Sequence, residues 1–298
     1  MNEFNVIKRI IGGHSGAELY KVEKNNKIYC MKVYERELDN KYCDKIKEIC
    51  STYDKLSIKS LKVFDYGTMN KKTFLLFNYI NGQDFKKYSE SNLDYNSIYE
   101  FGKNIGRKFK QLKKYNLPTD TLIEDESIDS LTQLINKKYE EIKSNIVKRN
   151  LIEKYFTIDI INKRIEEFNT YKNLFYKVKK GLIHGDIKRS NFMIDNNNIY
   201  IIDIGNMKNS YDVLNFRYQI TWLLFENNKK EQEFIRGYFD GLYNYKRPKY
   251  FNEQLKYVFL MNFIEHTYKM NNLNEMEKYF EQIRKTFIKL DNNNNYII

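Results

Sequence analysis

A short apolar run, Leu182-Ile183, breaks off into His184-Gly185-Asp186-Ile187-Lys188-Arg189-Ser190-Asn191. Two further apolar runs follow, Phe192 to Ile194 and Ile199 to Ile202, with Asp195-Asn196-Asn197-Asn198 between them as a strong turn signal. Asp203 closes the second run, twelve positions past Asn191, and Gly205 stands two residues later. A chain with this pattern must present an Asp on a loop, an Asn five residues on, and an Asp at the end of a strand.

The text on either side of this motif differs. The first eighty residues read as strands with one helix: Val6 to Ile11, Ala17 to Val22, Lys27 to Tyr34, Leu61 to Tyr66 and Thr73 to Tyr79 are short apolar runs. The turn Glu23-Lys24-Asn25-Asn26 joins the second to the third, and Gly67 to Lys72 joins the last two. Leu38 to Leu56 carries Tyr42, Ile46, Ile49 and Tyr53 at helical spacing. Ile80-Asn81-Gly82-Gln83 then breaks the pattern, and a hinge is expected at about residues 77–82, dividing a domain 1–79 from a domain 80–298. Beyond it the chain turns helical, over Ile98 to Tyr115, Ile128 to Val147, Ile152 to Val178 and most of Val213 to Ile288. At 298 residues, with 42% hydrophobic and 16% aromatic residues, there is material for two cores.

Charge and cysteine content exclude other classes. The net charge is +12, but the lysines are spread over the chain. Even the densest stretch, Lys103 to Lys114, places its cations all round a helix, so a phosphate-tracking face and a nucleic-acid partner are not expected. Cys30, Cys43 and Cys50 are odd in number and lack metal-ligand spacing, which points away from disulfides and structural zinc. No apolar run reaches the roughly 18 residues of a membrane span, and no basic-then-apolar signal pattern opens the chain. A cytoplasmic monomer without a membrane partner is expected.

The three polar positions fit phosphoryl transfer. Asp186 is placed to accept a proton from an attacking hydroxyl, while Asn191 and Asp203 supply oxygen ligands for a magnesium ion on nucleotide phosphates. Lys188 could neutralise charge on the transferred group, His184 is read as a structural brace of the loop, and Arg189 is expected to face solvent. Near the start, Gly12-Gly13-His14-Ser15-Gly16 lies between two strands, where backbone N–H groups and the Ser15 hydroxyl can approach phosphate. It is neither a Walker A nor a Rossmann turn, because no Gly-Lys-Ser/Thr and no helix follow it. Lys32 in Tyr29-Cys30-Met31-Lys32-Val33-Tyr34 alternates onto the inner face and needs an anion. Phosphate oxygens and Glu48, with Glu37 as the alternative, are the expected partners.

These segments resemble the aminoglycoside phosphotransferase and choline kinase superfamily, whose loop reads roughly His-Gly-Asp-Leu-x-x-x-Asn and is followed by Ile-Asp-x-Gly. The Gly-turn followed by Tyr20-Lys21-Val22, the Lys32-Val33 strand, Leu75 to Gly82, Phe216-Arg217-Tyr218-Gln219 and Phe234-Ile235-Arg236-Gly237-Tyr238 are similar as well. The resemblance implies an α+β, bilobal protein-kinase-like fold, with a small antiparallel-sheet N-lobe holding one helix and a larger, mainly helical C-lobe. It further implies ATP (or GTP) and Mg2+ as cofactors and a small-molecule hydroxyl as acceptor. Gly12, Gly13, Ser15 and Gly16 would cover the phosphates, and Lys32, oriented by Glu48, would sit on the α- and β-phosphates. The backbone of Asn78 and Ile80 would read adenine.

An aminoglycoside is the first acceptor the resemblance suggests. Choline or ethanolamine, a sugar, or a spore-coat-type relative with little activity are its alternatives. One departure bears on this: the Asp that follows the Arg-Tyr-Gln segment in antibiotic kinases is Ile220 here. A polycationic acceptor needs carboxylates, and the available ones are Glu124, Asp125, Glu126 and Asp129, then Glu226, Glu231 and Asp240.

Overall fold

The computed structural model describes residues 4–11, 17–195, 198–218, 220–223 and 228–292. Its first sheet contains β1 (Asn5–Ile10), β2 (Glu18–Lys24), β3 (Lys27–Val33), β4 (Val63–Met69) and β5 (Lys72–Asn78), with α1 (Asn40–Lys55) between β3 and β4. The five strands pair antiparallel in the order β1-β2-β3-β5-β4. Two of its hairpins close on two-residue turns with both residues left-handed: Asn25 and Asn26 at φ 51° and 59°, Asn70 and Lys71 at the same values. Such turns match the natural twist of the flanking strands, and Asn tolerates the conformation better than most residues. Val22, Met31, Val33 and Leu76 form the core on the sheet, packed with Phe4, Tyr20, Tyr29 and Phe74. Asp39 caps α1 by accepting from the Lys41 N–H, and Cys43, Ile46, Ile49, Cys50 and Tyr53 make up its buried face.

A second, small sheet combines β6 (Gln83–Asp84), β8 (Phe192–Asp195) and β9 (Asn198–Ile201), and α2 (Phe85–Asn92) follows β6 directly. Gly82 lies against the Ile194 backbone so closely that no side chain fits there, which is what lets the chain enter β6 beside β8. The helices are α3 (Tyr95–Leu112), α4 (Ile128–Ser144), α5 (Ile146–Tyr155), α6 (Ile158–Phe175), α7 (Ile220–Leu223), α8 (Lys229–Tyr243), α9 (Phe251–Lys269) and α10 (Leu273–Asn292). One more strand pair, β7 (Gly181–Ile183) with β10 (Lys208–Ser210), supports the motif loop.

Residues group into two compact units. The first holds residues 1–92, 116–124 and 189–207; the second holds 93–115, 125–188 and 208–298. The chain therefore passes between the units repeatedly. In the second unit α3 and α8 meet backbone to backbone. A side chain at Gly102, Gly106, Gly237 or Gly241 would collide with the carbonyl of Phe234, Tyr238, Tyr99 or Lys103 respectively. Helix α9 is buried nearly all round, and Phe263 on it packs edge-on against Phe156 and Phe287.

The N-terminal sheet with its helix and the helical remainder agree with the sequence reading. Three short elements escaped it: β6 and β10, whose two and three residues carry no period, and α2, whose eight residues bury only Phe85 and Ser89. The stretch expected as one helix over Ile128 to Val147 is broken at Asn145. That residue ends α4 through its N–H and starts α5 by accepting the Lys148 N–H at 3.1 Å. One Asn doing both jobs leaves no Gly or Pro to mark the break. The residues Asn196 and Asn197 of the expected β8–β9 turn lie outside the described residues. Among those described, no helix is long and apolar enough to cross a membrane.

Candidate active site

The β8–β9 hairpin explains the spacing of twelve. Its register pairs Phe192 with Ile201, so the residues just outside the ladder, Asn191 and Ile202, are opposite each other, and the Ile202 N–H donates to the Asn191 carbonyl at 2.9 Å. Asp203 is the next residue, so both expected metal ligands lie at one end of one hairpin. Asp203 is left-handed, with φ 56° and ψ 47°, a conformation in which Asp is tolerated but not favoured. Its carboxylate does not cap the short turn that follows and is 41% exposed. A side chain in this state is available to a cation.

Lys32 arrives from β3. Its Nζ stands 3.5 Å from Asp203 Oδ1, a contact between residues 171 positions apart. Tyr34, just past the end of β3, has its ring 5.4 Å from the same ammonium. The Tyr34 hydroxyl is 3.3 Å from that of Tyr42 on α1, and the rings meet edge-on at 5.8 Å. Burial, followed by the neighbouring Tyr42 and Asp203, pushes the Tyr34 hydroxyl far above the ordinary tyrosine range.

The expected pairing of Lys32 with Glu48 is corrected by this geometry. Glu48 accepts hydrogen bonds from the Thr121 hydroxyl and, at 2.8 Å, from the Leu122 N–H. It ties α1 to residues 116–124, a tie that Lys45 reinforces with an ion pair to Glu124 at 2.6 Å. Helical rotation is the reason: the positions of α1 that approach Gly205 are Tyr42 and Ile46, and Glu48 lies on a different flank. The alternative, Glu37, accepts from the Thr68 hydroxyl at 3.3 Å.

Asn78 clamps Lys62 at the end of β5. Its Oδ1 accepts from the Lys62 N–H at 2.7 Å, and its own N–H donates to the Lys62 carbonyl at 3.1 Å. Ile80 has a buried side chain. Gly12, Gly13, Ser15 and Gly16 lie outside the described residues.

Asp186 and Lys188 belong to the second unit. Asp186 is buried, and Lys188 Nζ donates to its Oδ2 at 2.7 Å. Gly185, at φ 84°, turns the loop between β7 and Asp186. Asn215 fixes that loop from both sides: its Oδ1 accepts from the Gly185 N–H at 3.0 Å and its carbonyl accepts from the Ile187 N–H at 2.9 Å. Its amide in turn donates to the Tyr238 hydroxyl at 3.0 Å. The sequence reading did not find Asn215. The available signal was a polar residue inside the apolar run Val213-Leu214-Asn215-Phe216. His184 is fully buried, as a framework residue should be.

Arg189 corrects a second expectation. It is 1% exposed rather than solvated, and it donates to the Ser89 hydroxyl at 2.9 Å and to Glu90 at 2.7 Å, pinning the start of the hairpin to α2. Of the acids considered for a polycation, Glu124, Asp125, Glu126, Asp129 and Asp240 are paired with the chain's own cations. Asp125 pairs with Lys180 at 3.0 Å and Asp240 with Arg247 at 2.8 Å. Asp129 pairs with Lys172 at 3.0 Å. Glu126 takes Lys208, Arg217 and the Ser210 hydroxyl at 3.1, 3.2 and 2.8 Å. Glu231 is buried, and Glu226 lies outside the described residues. Among the described residues no group of three or more His, Cys, Asp or Glu could hold a metal unaided.

The sequence matches the model of the phosphotransferase enzyme family over residues 6–242, and the chain belongs to that family. Solved structures share its protein-kinase-like fold. One is a thermostable mutant of the aminoglycoside phosphotransferase APH(4)-Ia in complex with ADP and hygromycin B; it is 11% identical, covers 96% of this chain and 94% of its own, and has a TM-score of 0.60. ADP-bound APH(2'')-Ib is 16% identical over 96% of this chain and 93% of its own, with a TM-score of 0.57. An ethanolamine kinase of Plasmodium vivax is 13% identical over 94% of this chain and 81% of its own, with a TM-score of 0.59. No curated protein matches the sequence.

Proposed function

We propose that this phosphotransferase moves the γ-phosphoryl group of ATP, or GTP, to a hydroxyl of a small molecule. The observation that carries the reading is the approach of Lys32 to Asp203 at 3.5 Å. It sets one cation and one exposed carboxylate together, which is what nucleotide phosphates and their counter-ion require. Asn191 and Asp203 are the residues that would hold magnesium. The fit is good: a neutral and an anionic oxygen at the end of one hairpin, with no self-sufficient metal cluster among the described residues, suit an ion that brings its remaining oxygen ligands as phosphate and water. Bound there, the ion would supply charge neutralisation on the phosphates.

Asp186 is the base. Buried and held by Lys188, it takes the proton of the acceptor hydroxyl, while the two hydrogen bonds from its flanking N–H groups to Asn215 keep its loop fixed. Lys32 holds the phosphates, the backbone of Asn78 and Ile80 reads the base, and Gly12, Gly13, Ser15 and Gly16 cover the phosphate tail. Residues 1–79 would bind the nucleotide, and residues 80–298 would carry the catalytic loop, the metal ligands and the acceptor pocket.

The acceptor class follows from the ion pairs. Glu126, held by Lys208 and Arg217, and Asp240, held by Arg247, are largely buried carboxylates with little to offer a polycation. A neutral polyhydroxyl compound such as a sugar is favoured over an aminoglycoside. The test is a phosphorylation screen of the purified protein with ATP and GTP against aminoglycosides, choline and ethanolamine, sugars and macrolides. Label is expected in a neutral hydroxyl compound. Transfer to aminoglycosides alone overturns the acceptor class, and transfer to none of the four groups counts against the reaction.

A further inference from the structure

In this chain Lys32 lacks the α1 carboxylate that its position calls for, because Glu48 is turned to Thr121 and Leu122. What stands beside it is aromatic. Tyr34, just past the end of β3, has its ring 5.4 Å from the Lys32 ammonium, and its hydroxyl meets that of Tyr42 at 3.3 Å. Tyr42 in turn reaches Gly205: a side chain added there would come within 3.2 Å of the Tyr42 hydroxyl. The two rings thus connect β3, α1 and the turn after Asp203, the three places whose alignment decides where the ammonium points.

We infer that the Tyr34–Tyr42 pair, and not Glu48, is the positioning device that holds Lys32 against Asp203. The inference rests on the phosphotransferase reading only for its consequence, the grip on the nucleotide; the alignment itself is independent of it.

The chemistry differs from that of a lysine neutralised by a carboxylate. A tyrosine pair restrains the ammonium by packing and by the attraction of the ring face, without cancelling its charge. The contact with Asp203 lies at the long end of an ion pair, so Lys32 keeps donors for phosphate oxygens. One of the two hydroxyls donates to the other, which leaves one O–H to point onward. Tyr42→Phe removes the link from α1 while keeping the ring. Glu48→Gln keeps an acceptor for the Leu122 N–H while removing the charge.

Two measurements separate the roles. The first is the acylation rate of Lys32 by an amine-reactive reagent, read by mass spectrometry of the full chain. The second is the affinity for MgADP by calorimetry, with thermal unfolding followed for every variant. Tyr34→Phe and Tyr42→Phe are expected to change the Lys32 labelling rate and to weaken MgADP by about fivefold, the loss of one neutral hydrogen bond. Glu48→Gln, which keeps an amide oxygen to accept from Thr121 and Leu122 and does not touch Lys32, is expected to leave both within about twofold of wild type. The inference is overturned if Glu48→Gln alters labelling as much as Tyr42→Phe does, or if both tyrosine variants label like wild type. Should wild type bind no MgADP while the labelling pattern is as stated, the phosphotransferase reading fails and the positioning of Lys32 stands.

Discussion

Asp203 illustrates how much one side chain can be asked to do. It sits in a left-handed conformation, gives no cap to its turn and meets Lys32 at 3.5 Å. Asp203→Ala is expected to weaken MgADP binding by at least about tenfold, the scale of one charge-assisted contact, while the fold persists; an unchanged calorimetric affinity contradicts the metal role. Asp186→Ala is expected to lower turnover about 10²- to 10⁴-fold, the range of a lost general base, with MgADP binding retained. Single-turnover kinetics check it, and full activity in that variant refutes the base. The nearness of Asn191 to Asp203 was legible in the sequence because one hairpin with a strong turn signal sets their spacing. The partner of Lys32 was not, because which flank of α1 faces β3 depends on packing that sequence spacing does not encode. Arg189 was misread for a related reason. A charged residue in a loop looks solvated until the opposing Ser89 and Glu90 are in place.

At the scale of elements, α3 and α8 depend on four glycines. Gly106→Ala is expected to cost about 1–3 kcal/mol by overpacking, because its side chain would strike the Tyr238 carbonyl on α8. Chemical denaturation measures it, and a variant as stable as wild type would show that the helices can part without penalty. The strands of the first sheet and the long helices were readable from their periods. The α4–α5 break at Asn145 and the β7–β10 pair were not, since neither leaves more than three residues of pattern. The acids of the 124–129 stretch were readable as acids but not as partners. Glu126 looked free for a ligand and is instead the meeting point of Lys208, Arg217 and Ser210, contributed by residues far along the chain.

For the whole molecule, two groups on α9 contribute to the response to acid. Burial raises the Glu265 carboxyl, but Arg217 and Lys138 outweigh it and hold the group below the usual value of 4.5. Its contribution is therefore present above about 4.5 and is lost as pH falls through the lower folded value. Burial first, then Lys269, lowers His266 below 6.5, so protons favour the unfolded chain as pH drops under that value. Stability to urea is expected to be flat from pH 8 to 7, to decline below about 6.5 and to fall faster below about 4.5. Glu265→Gln should cost about 3 kcal/mol at neutral pH and flatten the lower limb. A chain that gains stability on acidification from pH 7 to 5 contradicts this assignment.

The central claim, that Asp186 works with a magnesium nucleotide held at Asn191 and Asp203, is most directly tested by one assay. Purified protein is given γ-labelled ATP, magnesium and the four groups of hydroxyl compounds, with Asp186→Ala and Asp203→Ala alongside. The account predicts label in a small-molecule product from wild type and from neither variant. Label transferred equally well by either variant would contradict it.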